Sequence, residues 1–111
     1  MADKVSSIEE VRARMGEVFD QDKAVGVDAI FQFDLSGDNG GQFWISVEDS
    51  SYDTGSGVHN DPTLTITATA DDYLRMVNGE LTPMSAFMAG KIKIKGDMGL
   101  ALKLQSIFPT G

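Results

Sequence analysis

Four segments of this chain alternate apolar and polar residues, and a side-chain period of about two commits them to strands. Phe31, Phe33 and Leu35 point one way while Gln32 and Asp34 point the other. Phe43, Ile45 and Val47 alternate with Trp44 and Ser46, and Leu64, Ile66 and Ala68 alternate with threonines. Ile92 and Ile94 alternate with Lys91, Lys93 and Lys95. Strands of this kind offer one face to a core and one to water. They therefore build a sheet that needs a cover on one side. Ser36-Gly37-Asp38-Asn39-Gly40-Gly41 joins the first two as a hairpin. A further short strand is expected in the polar stretch 48–62, near Ser51–Thr54 or Gly57–His59.

The cover comes from segments with helical spacing. Ser7-Ile8-Glu9-Glu10 has the form of a capping box, and Ile8, Val11, Met15, Val18 and Phe19 make one stripe behind it. Thr69 caps a second helix, with Asp71 and Asp72 at its positive end and Gly79 after its last turn. Thr82-Pro83 starts a third, with Met84, Phe87 and Met88 on one face and Gly90 as its stop. Asp97 caps a last helix reaching Phe108, in which only Lys103, Gln105 and Ser106 are polar. Strands run together and helices cluster after them, an order that favours an α+β fold. The 111 residues are expected to form a single domain over 1–111.

Charge and composition exclude several functions. The net charge is −8, from 9 basic and 17 acidic residues. That balance argues against nucleic acid as a partner. The imbalance is uneven: Lys91, Lys93, Lys95 and Lys103 face Asp97 alone in the last 21 residues. Without cysteine there is no disulfide, thiolate catalysis or thiolate zinc site. No run approaches the roughly 20 apolar residues of a membrane span. The start MADKVSSIEE is not a signal peptide, and the ending FPTG is not a peroxisomal address, so a cytoplasmic location is expected. The one histidine, His59, has no motif around it and reads as an exposed loop imidazole. Asp38, Asp49, Asp53 and Asp61 do not have the spacing of a calcium loop. No cofactor, metal or catalytic residue is expected.

What remains is a surplus of large, flexible apolar side chains in the second half. Met76, Met84, Met88 and Met98 suit either an irregular core or a guest of variable shape. The last helix is too apolar for an ordinary surface helix. It is either buried on both sides or meets a lipid, a partner or a membrane. The three lysines at 91–95 either protect an edge strand from aggregation or form a basic rim that draws an anionic ligand or membrane surface.

The ordered set Asp71-Asp72-Tyr73-Leu74, Gly79-Glu80-Leu81-Thr82-Pro83, Ala86-Phe87-Met88, Gly90-Lys91-Ile92-Lys93-Ile94-Lys95-Gly96 and Gly99-Leu100-Ala101-Leu102-Lys103-Leu104 resembles the sterol carrier protein type two family. The strands Phe31–Leu35 and Phe43–Ile45 are similar to that family's first hairpin. The resemblance covers most of residues 6–108. It implies a five-stranded, largely antiparallel sheet with helices covering one face, and a hydrophobic tunnel between sheet and helices that takes a long-chain lipid: fatty acid, acyl-CoA, phospholipid or sterol. It implies a carrier rather than an enzyme.

On that basis the expected lipid-binding residues on the sheet are Phe31, Phe33, Phe43, Ile45, Leu64 and Ile66. On the helices they are Met76, Met84, Phe87, Met88, Leu100, Ala101, Leu104 and Phe108. The last helix, bracketed at its start by Gly96 and Gly99, is the expected gate. Transient membrane contact is compatible with this reading, and stable insertion is not expected. The alternatives are an interaction module that docks through the apolar last helix on a partner or a second copy, and a degenerate accessory domain of an enzyme. Oligomeric state is left open.

Overall fold

A computed structural model describes residues 4–109. The readings made at residues 1–3 and at Thr110-Gly111 lie outside the described residues. The chain runs α1 (Ile8–Arg14), a 3-10 turn (Met15–Glu17), β1 (Ala29–Ser36), β2 (Gly41–Glu48), β3 (Ser51–Ser56) and β4 (Leu64–Thr69). It continues through α2 (Ala70–Val77), α3 (Pro83–Met88), β5 (Ile92–Lys95) and α4 (Met98–Ile107). The expected third strand is therefore the earlier of its two placements. The tight turn before it holds Asp49 and Ser50 at φ 53° and 59°, the primed geometry that matches strand twist.

The sheet order is β3-β2-β1-β4-β5. Three neighbouring pairs are antiparallel, and β1 and β4 run parallel, with Phe33 beside Ile66. To reach β4 the chain leaves β3 at one edge and crosses β2 and β1. The crossing lies on the face away from the helices. Gln32, whose position in β1 points it to that face, is buried there. Its Nε2 donates to the Phe43 carbonyl (3.2 Å) and the Gly57 carbonyl (3.0 Å), and its Oε1 accepts from the His59 amide (2.8 Å). Trp44, on the same face, meets the His59 ring edge-on at 5.1 Å. His59 is thus a half-buried structural residue rather than an exposed imidazole, because the crossing segment needs a fastening point on the sheet.

The helix starts follow from their caps. The hydroxyls of Ser7, Thr69 and Thr82 accept from the amides of Glu10, Asp72 and Ser85, and the Asp97 carboxylate accepts from Gly99. The reciprocal bond at α1 goes to Ser6, whose amide and hydroxyl both donate to Glu10. The first helix is shorter than its apolar stripe, ending as α-helix at Arg14 and tightening into the 3-10 turn. Gly16 lies in that turn, where a Cβ would stand 2.9 Å from the Tyr52 hydroxyl.

The core occupies the helix side of the sheet. Phe31, Phe33, Leu35, Phe43, Ile45, Val47, Leu64, Ile66, Ala68 and Ile92 are buried there, under Val11 and Met15 of the N-terminal segment, Tyr73, Leu74, Met76 and Val77 of α2, and Leu104 and Ile107 of α4.

Candidate functional site

The helix side of the sheet is not filled throughout. A cavity of about 380 Å³ lies between the sheet and the helices, within the roughly 300–1,000 Å³ of small-molecule sites. Phe33, Ile45, Ile66, Ile92 and Ile94 come to it from the sheet. Val11, Met15 and Val18 border it from the N-terminal segment, and Tyr73, Met76 and Val77 from α2. Thr82, Pro83, Met84, Phe87 and Met88 come from α3 and its cap. Met98, Ala101, Leu102, Leu104, Gln105, Phe108 and Pro109 complete it from α4 and the residues just past it. No lining residue is charged.

The mouth is marked by exposure. Met88 is 78 % exposed, Met84 60 % and Leu102 49 %. These are costly positions for large apolar side chains in a monomer, and all three border the same opening between α3 and α4. The last helix is apolar on two sides because it serves two surfaces. Leu100, Leu104 and Ile107 pack on the core. Met98, Ala101, Leu102, Gln105 and Phe108, at helical spacing, line the cavity. Its far end is pinned: Phe108 lies 5.3 Å from Phe19 and 5.2 Å from Tyr52, and the Asp20 amide donates to the Ile107 carbonyl at 2.8 Å.

The cavity brings together Phe33, Ile45, Ile66, Met76, Met84, Phe87, Met88, Ala101, Leu104 and Phe108 of the residues anticipated from sequence. Phe31, Phe43, Leu64 and Leu100 do not line it. Phe31 is fully enclosed between Ile45 and Leu64 in register. The Phe43 ring is stacked on Phe33 at 4.6 Å, and the Tyr73 ring lies across it at 6.0 Å. Leu64 is capped by the backbone at Gly96, where an added Cβ would come 2.7 Å from Leu64 Cδ1. Leu100 belongs to the core-facing stripe of α4.

Of the thirteen lining residues not anticipated from sequence, six carried a usable signal. Ile92 and Ile94 share the inward parity of β5, Tyr73 and Val77 share a helical face with Met76, and Met98 and Leu102 fall on one stripe with Ala101.

The lysines divide by geometry. β5 is an edge strand, and its alternation sends Lys93 and Lys95 to the face away from the cavity. Lys91 lies 4.0 Å from Asp72, which also faces Arg75 at 3.8 Å. The protective reading of the edge fits this placement, and no lysine enters the cavity.

Electrostatically, the interior favours neutral groups. Burial pushes the Tyr73 phenol well above its ordinary range. No group of three or more acidic or histidine side chains able to hold a metal occurs among the described residues. No helix among them is long and apolar enough to cross a membrane.

Comparison with known proteins agrees with this geometry. Hydroxysteroid dehydrogenase-like protein 2 of Homo sapiens is 34% identical over 102 residues, covering 91% of this chain and 24% of that protein. The chain thus spans about a quarter of the length of the curated relatives it matches. Two solved structures from Aedes aegypti are similar end to end. The crystal structure of sterol carrier protein 2 like 2 has a TM-score of 0.68 and 31% identity, covering 90% of this chain and 91% of that one. The solution structure of the palmitated protein has a TM-score of 0.67 and 30% identity, covering 92% and 90%. The profile of the SCP-2 sterol transfer family matches residues 8–109, and with the sheet, the helical cover and the apolar cavity in place, this chain belongs to that family.

Proposed function

We propose that this chain binds one long apolar lipid in the cavity and passes it between donors and acceptors without reacting with it. The family implies lipid binding or transfer in general. The candidates for this chain are a fatty acid, an acyl-CoA, a phospholipid or a sterol. The observation that carries the proposal is the cavity: about 380 Å³, uncharged, and open between two helices that present methionine, leucine and phenylalanine to water. The palmitated state of the Aedes aegypti relative supports the acyl-chain members of the set.

The driving force is desolvation. Each buried methylene contributes about 0.8 kcal/mol, so a sixteen-carbon chain offers on the order of 12 kcal/mol gross. Association and ordering take several kcal/mol back, leaving an affinity in the micromolar to nanomolar range as a rough expectation. An uncharged interior leaves an ionised headgroup at the mouth, where water solvates it. Release requires α3 and α4 to part, and the Phe108 end of α4 is held by the rings of Phe19 and Tyr52.

No chemistry is assigned to the site. Its polar lining groups are a phenol, one hydroxyl and one amide, none of which is a base near neutral pH. The dehydrogenase name of the larger relatives belongs to proteins about four times longer. The interaction-module alternative loses its motive, since the exposed apolar side chains of α3 and α4 rim the cavity.

Native mass spectrometry of delipidated protein tests the proposal. One palmitate or lysolipid adduct per chain is expected. A clean apo mass at saturating palmitate and lysolipid overturns it.

A further inference from the structure

Three lining residues have polar side chains: Tyr73, Thr82 and Gln105. Thr82 is occupied, because its hydroxyl accepts from the Ser85 amide at 3.2 Å and caps α3. Gln105 is exposed on α4 and has water at hand. Tyr73 is different. It is 9 % exposed, and its hydroxyl makes no hydrogen bond to any of the described residues. No fully enclosed side-chain polar atom among them lacks a partner, so this hydroxyl keeps a small accessible surface while its residue borders the cavity. Its ring is fixed from two sides, 5.5 Å from Phe33 and 6.0 Å from Phe43, both crossed at about 60°. The phenol stays protonated there, because burial disfavours its charged form.

A hydroxyl with so little accessible surface is poorly served by water, and in a pocket lined mainly by hydrocarbon and thioether a guest that closes the mouth has to supply its partner. We propose that the Tyr73 hydroxyl donates a hydrogen bond to a neutral oxygen of the bound lipid, a hydroxyl or an ester carbonyl, and so selects oxygenated lipids over plain hydrocarbon. This rests on the lipid-binding reading above and narrows it. A carboxylate is a poor candidate for this position, since a single donor does not replace the hydration of a full charge. Sites built to hydrogen-bond a guest discriminate strongly against analogues lacking the group, because the site's own polar atom is then stranded.

The test compares wild type with Tyr73→Phe, using decane, decanol and methyl decanoate as competitors of anilinonaphthalene sulfonate. The substitution keeps the ring between Phe33 and Phe43 and removes only the oxygen. It is expected to weaken decanol and methyl decanoate roughly five- to tenfold, the loss of one neutral hydrogen bond, and to leave decane within about twofold. Carbon NMR gives a second reading on wild type. The Cζ signal of Tyr73, one of the two tyrosines, should move on adding decanol and stay in place on adding decane.

Equal effects of the substitution on all three compounds, or none, overturn the proposal while leaving lipid binding intact. Failure of wild type to bind any of them overturns both. A variant that melts several degrees lower also overturns it, because the hydroxyl would then have a partner within the protein.

Discussion

Replacing Ala101 with tryptophan puts an indole on the cavity-lining stripe of α4, where the native side chain is a methyl group. If the space beneath it is a binding cavity, the indole fills apolar room with little strain, whereas overpacking a solid core costs about 1–3 kcal/mol. Excluding even four methylenes of a guest removes about 3 kcal/mol of transfer energy, more than a hundredfold in affinity by rough arithmetic. Thermal unfolding reads this directly. For 111 residues the unfolding entropy near the midpoint is roughly 230 cal/mol/K. A ligand at a hundred times its dissociation constant stabilises by about 2.7 kcal/mol. The wild-type Tm should therefore rise by about 12 °C with palmitate at that concentration. The Ala101→Trp variant should show almost none of this rise, with its apo Tm within a few degrees of wild type. A variant that keeps the full palmitate shift places the ligand elsewhere. A variant that unfolds shows that the space under α4 is not available.

Phe108→Ala removes the ring that holds the end of α4 against Phe19 and Tyr52. It should cost about 1–2 kcal/mol, less than a fully buried phenylalanine, and stopped-flow release of a fluorescent acyl chain should be faster. Gly55→Ala places a Cβ 2.5 Å from Trp44 Cζ2 on the far face of the sheet. It should lower stability in urea by about 1–3 kcal/mol and red-shift the emission of the one tryptophan, with ligand binding retained. Tyr73 predicts an alkaline instability. Its folded pKa lies above the ordinary value of about 10, so the unfolded chain releases its proton first and stability falls as pH rises beyond that point. The difference in unfolding free energy between wild type and Tyr73→Phe, followed from pH 9 upward, should change by up to about 1.4 kcal/mol per unit, and a flat difference refutes the enclosed phenol.

Local chemistry made most of the elements legible from sequence. Alternation gave four of the five strands a face, since inward and outward are fixed by the backbone itself, whereas the polar β3 carried no such pattern. Ser7, Thr69, Thr82 and Asp97 marked helix starts, because an orphan amide needs an acceptor nearby. Gly79 and Gly90 marked helix ends at φ 77° and 73°, angles that other residues resist.

The tertiary structure decided what lies opposite each face, which no local rule contains. Phe31 and Phe33 carry the same signal two residues apart, yet one is sealed in the core and the other borders open space. Leu64 and Ile66 divide in the same way: the Gly96 backbone packs against the first, and the second borders the cavity. The parallel pairing of β1 with β4, the crossing fastened by Gln32 and the unanswered hydroxyl of Tyr73 likewise arise only when distant segments meet. Periodicity records which way a side chain points; whether it meets another side chain or a void depends on how far the covering helix stands away.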